Sequence, residues 1–319
     1  MVKKMKAVQF SRYGDPDVLQ VVEVPDPIAT PEEVLVDVKA TTVNHLDLFQ
    51  RDGSRPVPGL PFTPGLEAAG VVVEDSQGFH AGERVMTTRA AGARGGGGYA
   101  GRIAISALDL VRIPDEVSFE QAVAAGLAAS TAWVGLFDIG QLREGERVLI
   151  WGATSGVGSI AVQLAKQAGA WVMGTTGRDD KADILRKLGA DMIVNYNQQN
   201  VAEAARNVNG VNLVLELVGA TLQESISACA PDGRVVLIGN LGGQKATVDT
   251  QAWRLKRVNV LGPGIMHTTP ANEEHVLGLV AKKIVQPVIA ATFPVSQASE
   301  AHRKLEKHAI VGKVVLLHE

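Results

Sequence analysis

The residues best suited to chemistry lie in one run, Val148-Leu-Ile-Trp-Gly-Ala-Thr-Ser-Gly-Val-Gly158-Ser-Ile-Ala-Val-Gln-Leu-Ala-Lys-Gln-Ala-Gly169. An apolar strand enters a turn of small residues and leaves as an amphipathic helix. Ile160, Ala161, Leu164, Ala165 and Ala168 share one face of that helix, and Gln163, Lys166 and Gln167 point away. Small side chains let backbone approach a pyrophosphate, and the helix N-terminus offers it unpaired N–H groups. The G-x-G-x-x-G pattern is imperfect, because Ala153 and Ser155 take its first two glycine positions. The strand before and the helix after supply the context that a lone glycine-rich turn lacks. Dinucleotide binding is therefore the expected role, with a purely structural turn as the alternative.

Cofactor choice is read about 20 residues further on, where an acidic side chain would hold a ribose 2′-hydroxyl. Counting from Gly156 reaches Thr176, inside Gly174-Thr-Thr-Gly-Arg-Asp-Asp-Lys181. Thr175 and Thr176 are neutral, and Arg178 and Lys181 follow closely. Hydroxyls with two nearby cations suit a 2′-phosphate, since charge-assisted contacts to phosphate are strong. NADPH is the expected cofactor, although Asp179 and Asp180 dilute the positive field.

These residues need a scaffold, and 319 residues are enough for two domains. Hydrophobic residues at 46% and charged residues at 20% give a globular composition. The formal charge of −3 removes the electrostatic reason to expect nucleic acid or an anionic membrane as partner. Cys229 is the only cysteine, which excludes a disulfide framework, an iron–sulfur cluster and a multi-thiolate zinc site within one chain. It sits beside Pro231-Asp-Gly233, where a helix should end, and reads as a packing residue. The N-terminus carries charge without a signal-peptide apolar run, and no uninterrupted apolar stretch approaches the roughly 20 residues of a membrane helix. A cytoplasmic protein is expected.

The first third is β-rich. Val34, Val36 and Val38 alternate with Asp37 and Lys39, and Ala69–Val73 and Arg102–Ile105 are further short strands. The run Gly95–Gly98 reads as a loop tip or a backbone that faces a ligand. Glu120–Asp138 is Ala-rich with helical spacing. Beyond it, strands at Arg147–Trp151, Trp171–Thr175, Ile193–Val194, Leu213–Val218, Arg234–Ile238 and Val258–Leu261 alternate with helices. That alternation predicts an α/β chain with a doubly wound parallel sheet. Gly312-Lys-Val-Val-Leu-Leu317 reads as one more strand, of either sheet.

Across nearly its whole length the chain resembles the medium-chain dehydrogenase/reductase superfamily, in particular its zinc-free quinone oxidoreductase (zeta-crystallin-like) branch. The matching pieces are Met5-Lys-Ala-Val-Gln, Val43-Asn-His-Leu-Asp47, Pro64-Gly-Leu-Glu-Ala-Ala-Gly70, Gly82-Glu-Arg-Val85, Gly98-Tyr-Ala100, Thr131-Ala-Trp133, the loop 152–158 and Gly312-Lys-Val-Val-Leu316. The resemblance implies a GroES-like β-barrel catalytic domain, residues 1–119 and 266–319. A Rossmann domain would be inserted at 120–265, with the active site in the intervening cleft. It also implies a homodimer through the sheet's last strand, near Val258–Leu261, which would otherwise be an exposed apolar edge.

The superfamily's alcohol dehydrogenases hold catalytic zinc through a cysteine, a histidine and a further ligand. Here Asn44 stands at the cysteine and Leu66 at the histidine, with Glu67 left beside them. The four-cysteine structural zinc lobe is missing, and Arg89 to Gly98 takes its approximate place. His302 and His308, in what reads as a surface helix, offer no replacement. No metal site is expected. Without a Lewis acid, hydride transfer favours acceptors that delocalise charge themselves, namely quinones and conjugated carbonyls.

Site roles follow from the resemblance. Asn44 would donate to the acceptor carbonyl or cap local backbone, and Asp47 would order the site. Tyr99 would act as a proton donor or pack the barrel. Thr131 would meet the nicotinamide amide, while Ser155, Gly156 and Val157 line the pyrophosphate. Tyr196 would flank the adenosine, with Val218 and Asn240 at ligand-facing strand ends. Lys313 would bind cofactor or be a strand-edge charge. Gly53–Pro61, with Arg51 and Arg55, would shape the entrance. The expected activity is NADPH-dependent, zinc-independent reduction of a quinone or related conjugated carbonyl. The alternatives are a 2-alkenal, enone or enoyl-thioester reductase, and an NADPH-binding redox sensor with little catalysis.

Overall fold

The computed structural model describes residues 3–88, 97–264, 269–307 and 309–318. The chain forms two compact units: Met1–Leu127 with Thr268–Lys283 and Pro287–Glu319, and Ala128–His267 with Ile284–Gln286. The helix Phe119–Trp133 starts at the expected boundary of 119/120, and the units divide at 127/128 within it.

The second unit is built on six parallel strands. Across the sheet they run Met192–Asn195, Trp171–Thr176, Arg147–Ile150, Val211–Glu216, Cys229–Leu237 and Asn259–Leu261. In chain order this is 3-2-1-4-5-6, the doubly wound arrangement with its reversal beside Arg147–Ile150. Val148, Leu149 and Ile150 are fully buried because helices cover both faces of a parallel sheet. Each such side chain contributes about 1.5–3 kcal/mol by leaving water. Cys229 follows the helix Leu222–Ala228 and is buried, with its thiol pushed up to about 12 by desolvation; it packs and is not ionised.

The first unit carries a seven-stranded sheet. Its path is Ile289–Pro294, Lys313–Leu317, Glu33–Val43, Ala68–Val72, Arg84–Thr87 and Leu110–Arg112, and Arg102–Ser106 also pairs with Glu33–Val43. The C-terminal strand thus joins this sheet, antiparallel to Glu33–Val43, with Val314 opposite Val43. That register sets Lys313 beside Asn44, one step beyond each strand pair. Val34, Val36 and Val38 alternate into the core as the pattern predicts.

Phe119–Trp133 continues as a π-helical turn through Ile139, giving 21 helical residues long and apolar enough to cross a membrane, although Glu120 and Asp138 interrupt the apolar run. The qualifying stretch is 72% buried inside the fold, as in a core helix. Two readings need correction. His302 is not on a surface: it is fully buried on the helix Ala298–Glu306, while His308 lies outside the described residues. Of the glycine run and the stretch expected to replace the zinc lobe, Arg89–Gly96 also lie outside them. Gly97 and Gly98 are a tight backbone crossing. A Cβ on Gly97 would lie 2.0 Å from the Thr63 carbonyl oxygen, and one on Gly98 2.6 Å from that of Glu67.

The short segment Ile284–Gln286 belongs to the second unit, and Gln163 bonds its backbone twice. Gln163 Nε2 donates to the Gln286 carbonyl at 2.9 Å, and the Gln286 N–H returns a bond to Gln163 Oε1 at 2.8 Å.

Candidate functional site

In the second unit, the parallel strands end on the same edge, so the residues that follow them are neighbours. After Arg147–Ile150 the chain turns through Gly152, at φ +66°, and enters the helix Gly156–Gln167. Ser155 caps that helix, its Oγ accepting from the Gly158 N–H at 3.0 Å. A Cβ on Gly158 would lie 2.2 Å from the Gly152 carbonyl oxygen, so only glycine lets the turn press against the helix. Gly156 and Val157 form the first turn, half-buried. Free backbone N–H groups at this end form a cradle for an anion.

Val211–Glu216 ends on a buried carboxylate. Glu216 Oε1 accepts the N–H groups of Val218 and Gly219 at 2.8 and 2.9 Å, and Thr221 and Ser225 donate their hydroxyls to the same side chain. Glu216 therefore sets the Val218–Gly219 turn, and Gly219 packs so closely that a Cβ there would lie 2.9 Å from the Asn240 Cα. Tyr196 follows Met192–Asn195, half-exposed, with its ring 6.2 Å from Trp151. Ser155, Gly156, Val157, Tyr196, Val218 and Asn240 thus gather at one edge. Thr131 is buried near the end of its helix.

The expected phosphate pocket is less complete. Thr175 does not face a ligand: it is fully buried, and its hydroxyl accepts from the Gly152 N–H at 3.1 Å, fixing the loop from beneath. Arg178 is on the surface and forks onto Asp180 at 3.0 and 2.6 Å. Lys181 is largely buried, and desolvation, then the Arg178 charge, lower its pKa.

In the first unit, Asn44 precedes the helix His45–Asp52, and its backbone N–H donates to Asp47 Oδ2 at 2.7 Å. The other Asp47 oxygen accepts from the Gly65 N–H at 2.9 Å, so one carboxylate clamps two loops. Burial pushes the Asp47 carboxyl up to about 6, against the opposing pull of those two N–H groups and of Lys313.

Around Asn44 lies a compact ionic cluster. Lys313 Nζ donates to Asn44 Oδ1 at 2.6 Å and to Glu67 Oε1 at 2.9 Å. Asn44 Nδ2 donates to Thr42 Oγ1 at 3.1 Å and Glu67 Oε1 at 3.2 Å, and the Thr42 hydroxyl donates to the same Glu67 oxygen. The Leu127 N–H holds Oε2 at 2.8 Å. Burial alone would raise the Glu67 carboxyl, but the Lys313 charge, the Thr42 bond and the Leu127 N–H hold it below the usual range. The Asn44 amide has one stable orientation here. Flipping it would set its NH₂ against an ammonium and its carbonyl against a carboxylate.

Lys313 lies on the first unit's sheet, where its ammonium meets Glu67 and Asn44. Two expectations change. Tyr99 is no proton donor: it is fully buried in the apolar core, with its hydroxyl 2.9 Å from His302 Nε2. Arg51 does not shape an entrance either, since its side chain is buried and pairs with Glu306 at 2.6 Å. Glu67, Thr42 and Glu216 were not picked out as functional. The available signal was a carboxylate inside an otherwise apolar run, as in Leu66-Glu-Ala-Ala and Leu213-Val-Leu-Glu216, which must find a partner when buried.

The comparisons with known proteins agree with this layout. An alcohol dehydrogenase GroES-like domain model matches residues 30–115, and a zinc-binding dehydrogenase model matches residues 156–282. Quinone oxidoreductase 1 of Escherichia coli (strain K12) is 31% identical over 97% of this chain and 98% of its own. The chain belongs to the quinone oxidoreductase branch of the medium-chain dehydrogenase/reductase superfamily. A solved structure of Escherichia coli quinone oxidoreductase complexed with NADPH superposes with a TM-score of 0.88 at 30% identity, covering 98% of this chain and 99% of that one. A structure described as an NAD-dependent alcohol dehydrogenase gives 0.91 at 30% identity, over 98% and 99%. As a member of this branch, the chain is an oxidoreductase.

The zinc in the second family description does not fit the residues present. Asn44 and Leu66 are not ligands, and the remaining carboxylate, Glu67, already holds the Lys313 ammonium. Among the described residues, no three His, Cys, Asp or Glu side chains gather as a metal site.

Proposed function

We propose that this protein is an NADPH-dependent reductase of quinones or related conjugated carbonyls, working without zinc. The observation that carries the reading is the Asn44–Glu67–Lys313 cluster, where an amide, a carboxylate and an ammonium occupy the region from which zinc-dependent relatives draw metal ligands. Such groups polarise an acceptor oxygen modestly, which suffices for acceptors that delocalise the incoming charge. Bound NADPH supplies the hydride. The Gly152–Gly158 turn and the start of its helix would hold the pyrophosphate, and Tyr196, Val218 and Asn240 would flank the nucleotide. Arg178 and Lys181 would favour the 2′-phosphate. Asp47 would keep the Asn44 loop in register with Gly65.

The direct test is nicotinamide absorbance with NADPH or NADH and a panel of quinones and 2-alkenals, run beside a cofactor titration. Acceptor-dependent loss of NADPH, slower with NADH, is expected. Tight cofactor binding without turnover on any acceptor would overturn the reading in favour of a sensor.

The same reading includes a homodimer through Asn259–Leu261, which among the described residues pairs on one side only, with Cys229–Leu237. Sedimentation equilibrium should give twice the chain mass of 33.6 kDa. A monomer at micromolar concentration would remove that part.

A further inference from the structure

We infer that Lys313 is a catalytic cation: its ammonium faces the acceptor oxygen and stabilises the negative charge that hydride delivery places there. The inference rests on the reading of the chain as a reductase of conjugated carbonyls or quinones. Three observations on the cluster carry it.

First, the ammonium is held in place. Lys313 begins its strand directly after Gly312, whose φ is +89° and where a Cβ would lie 2.0 Å from the Val288 carbonyl oxygen. The Lys313 side chain is only 8% exposed, and Glu67 beside it 1%. A flexible surface lysine would have to be ordered before it could act, whereas this one is already positioned.

Second, the hydrogen-bond arithmetic leaves one donor over. An ammonium has three N–H groups. Two meet Asn44 Oδ1 and Glu67 Oε1, and among the described residues no third acceptor is bonded to Nζ. Asn44, which accepts one of those two bonds, is half-buried and not sealed in the core.

Third, the cation is paired. Glu67 Oε1 accepts from Lys313 Nζ at 2.9 Å, and the Thr42 hydroxyl and the Asn44 amide donate to the same carboxylate oxygen. The role inferred for Lys313 is electrostatic. The acceptor gains a hydride, one proton with two electrons, from the reduced nicotinamide, and negative charge develops on its oxygen opposite the ammonium. Solvent supplies the second proton, completing a two-electron, two-proton reduction. Glu67, Thr42 and Asn44 act as positioning residues for this cation.

The test compares wild type with Lys313→Met and Lys313→Arg on 1,4-benzoquinones graded from strong to weak electron acceptors, followed by a 2-alkenal. Lys313→Met should lower kcat/KM about 10²–10³-fold on the weakest acceptors. The loss should shrink steadily toward the strongest, because these need least help with the charge. Lys313→Arg should recover part of the loss. Since Lys313→Met leaves Glu67 buried without its cation, the double variant Glu67→Gln/Lys313→Met serves as the folding control and should show the same acceptor-dependent loss. Binding gives a second readout. With oxidised cofactor present, 4-nitrophenol should bind wild type preferentially as the phenolate, seen by absorbance, and lose that preference in both Met variants. A loss uniform across acceptors, or an equal phenolate preference in all variants, overturns the inference and leaves the reductase reading intact. A wild-type protein that oxidises NADPH with none of the acceptors overturns both.

Discussion

Lys313 Nζ and Asn44 Oδ1 lie 2.6 Å apart although 269 positions separate them in the chain. The antiparallel pairing of Lys313–Leu317 with Glu33–Val43 brings the two together. The contact ties the end of the chain to the loop that opens the first helix.

Removing one charge of the buried pair should be worse than removing both. Glu67→Gln leaves the Lys313 ammonium without its carboxylate, a change expected to cost about 3–5 kcal/mol. Adding Lys313→Met should recover part of that. Urea unfolding of the two single variants and the double gives the coupling directly, and additive losses would show that the pair contributes nothing as a unit.

Asp47 should give the protein a particular pH dependence. Its carboxyl titrates at about 6 in the folded chain, raised by burial from an ordinary 3.8. Between those values the folded state holds more protons than the unfolded one, so the Asp47 contribution to stability falls as pH rises from about 4 to about 6. It is then constant. The total change is on the order of 3 kcal/mol. The difference in unfolding free energy between wild type and Asp47→Ala, followed through this window, should decline with pH. A flat difference would mean that the carboxyl titrates normally.

Gly158→Ala should disable the dinucleotide edge. The added methyl would sit 2.2 Å from the Gly152 carbonyl oxygen and 2.6 Å from the Ala153 Cα, both backbone atoms that cannot swing aside. A stability loss of about 2–3 kcal/mol is expected, with NADPH affinity falling at least tenfold. Calorimetry and a fluorescence titration would check both, and unchanged affinity would mean that the turn does not hold the pyrophosphate.

The fork between Arg178 and Asp180 predicts opposite effects from neighbouring substitutions. Replacing Arg178 and Lys181 by Ala should weaken NADPH at least tenfold and NADH little. Asp180→Ala, which frees Arg178 and removes a negative charge, should tighten NADPH. Parallel shifts for both cofactors would take these residues out of the phosphate pocket.

The dinucleotide half was readable because its information is local. Val148–Ile150, Ser155 and Gly158 lie within one strand–turn–helix, and apolar runs of strand length recur through the unit. The polar cluster of the first unit was not, because Thr42, Glu67 and Lys313 are 25 or more residues apart and meet only through the fold. A buried Lys313 looks like any strand-edge lysine until a carboxylate is found opposite it. Thr175 shows the reverse case. It lies at the right distance from the loop, but strand alternation turns its hydroxyl inward, so spacing alone misassigned it. His302 was misread because its helix is amphipathic, and the short pattern did not reveal which face the histidine takes.

The reciprocal Gln163–Gln286 bonds bear on how the protein can be divided. A continuous fragment cut at 128–267 would carry the whole parallel sheet, yet it would omit Ile284–Gln286 and leave the Gln163 amide, in the middle of the phosphate-loop helix, facing water. Separate expression of the nucleotide-binding half would therefore need those three residues restored, by a linker or by circular permutation. The folded unit and any single continuous stretch of chain do not coincide.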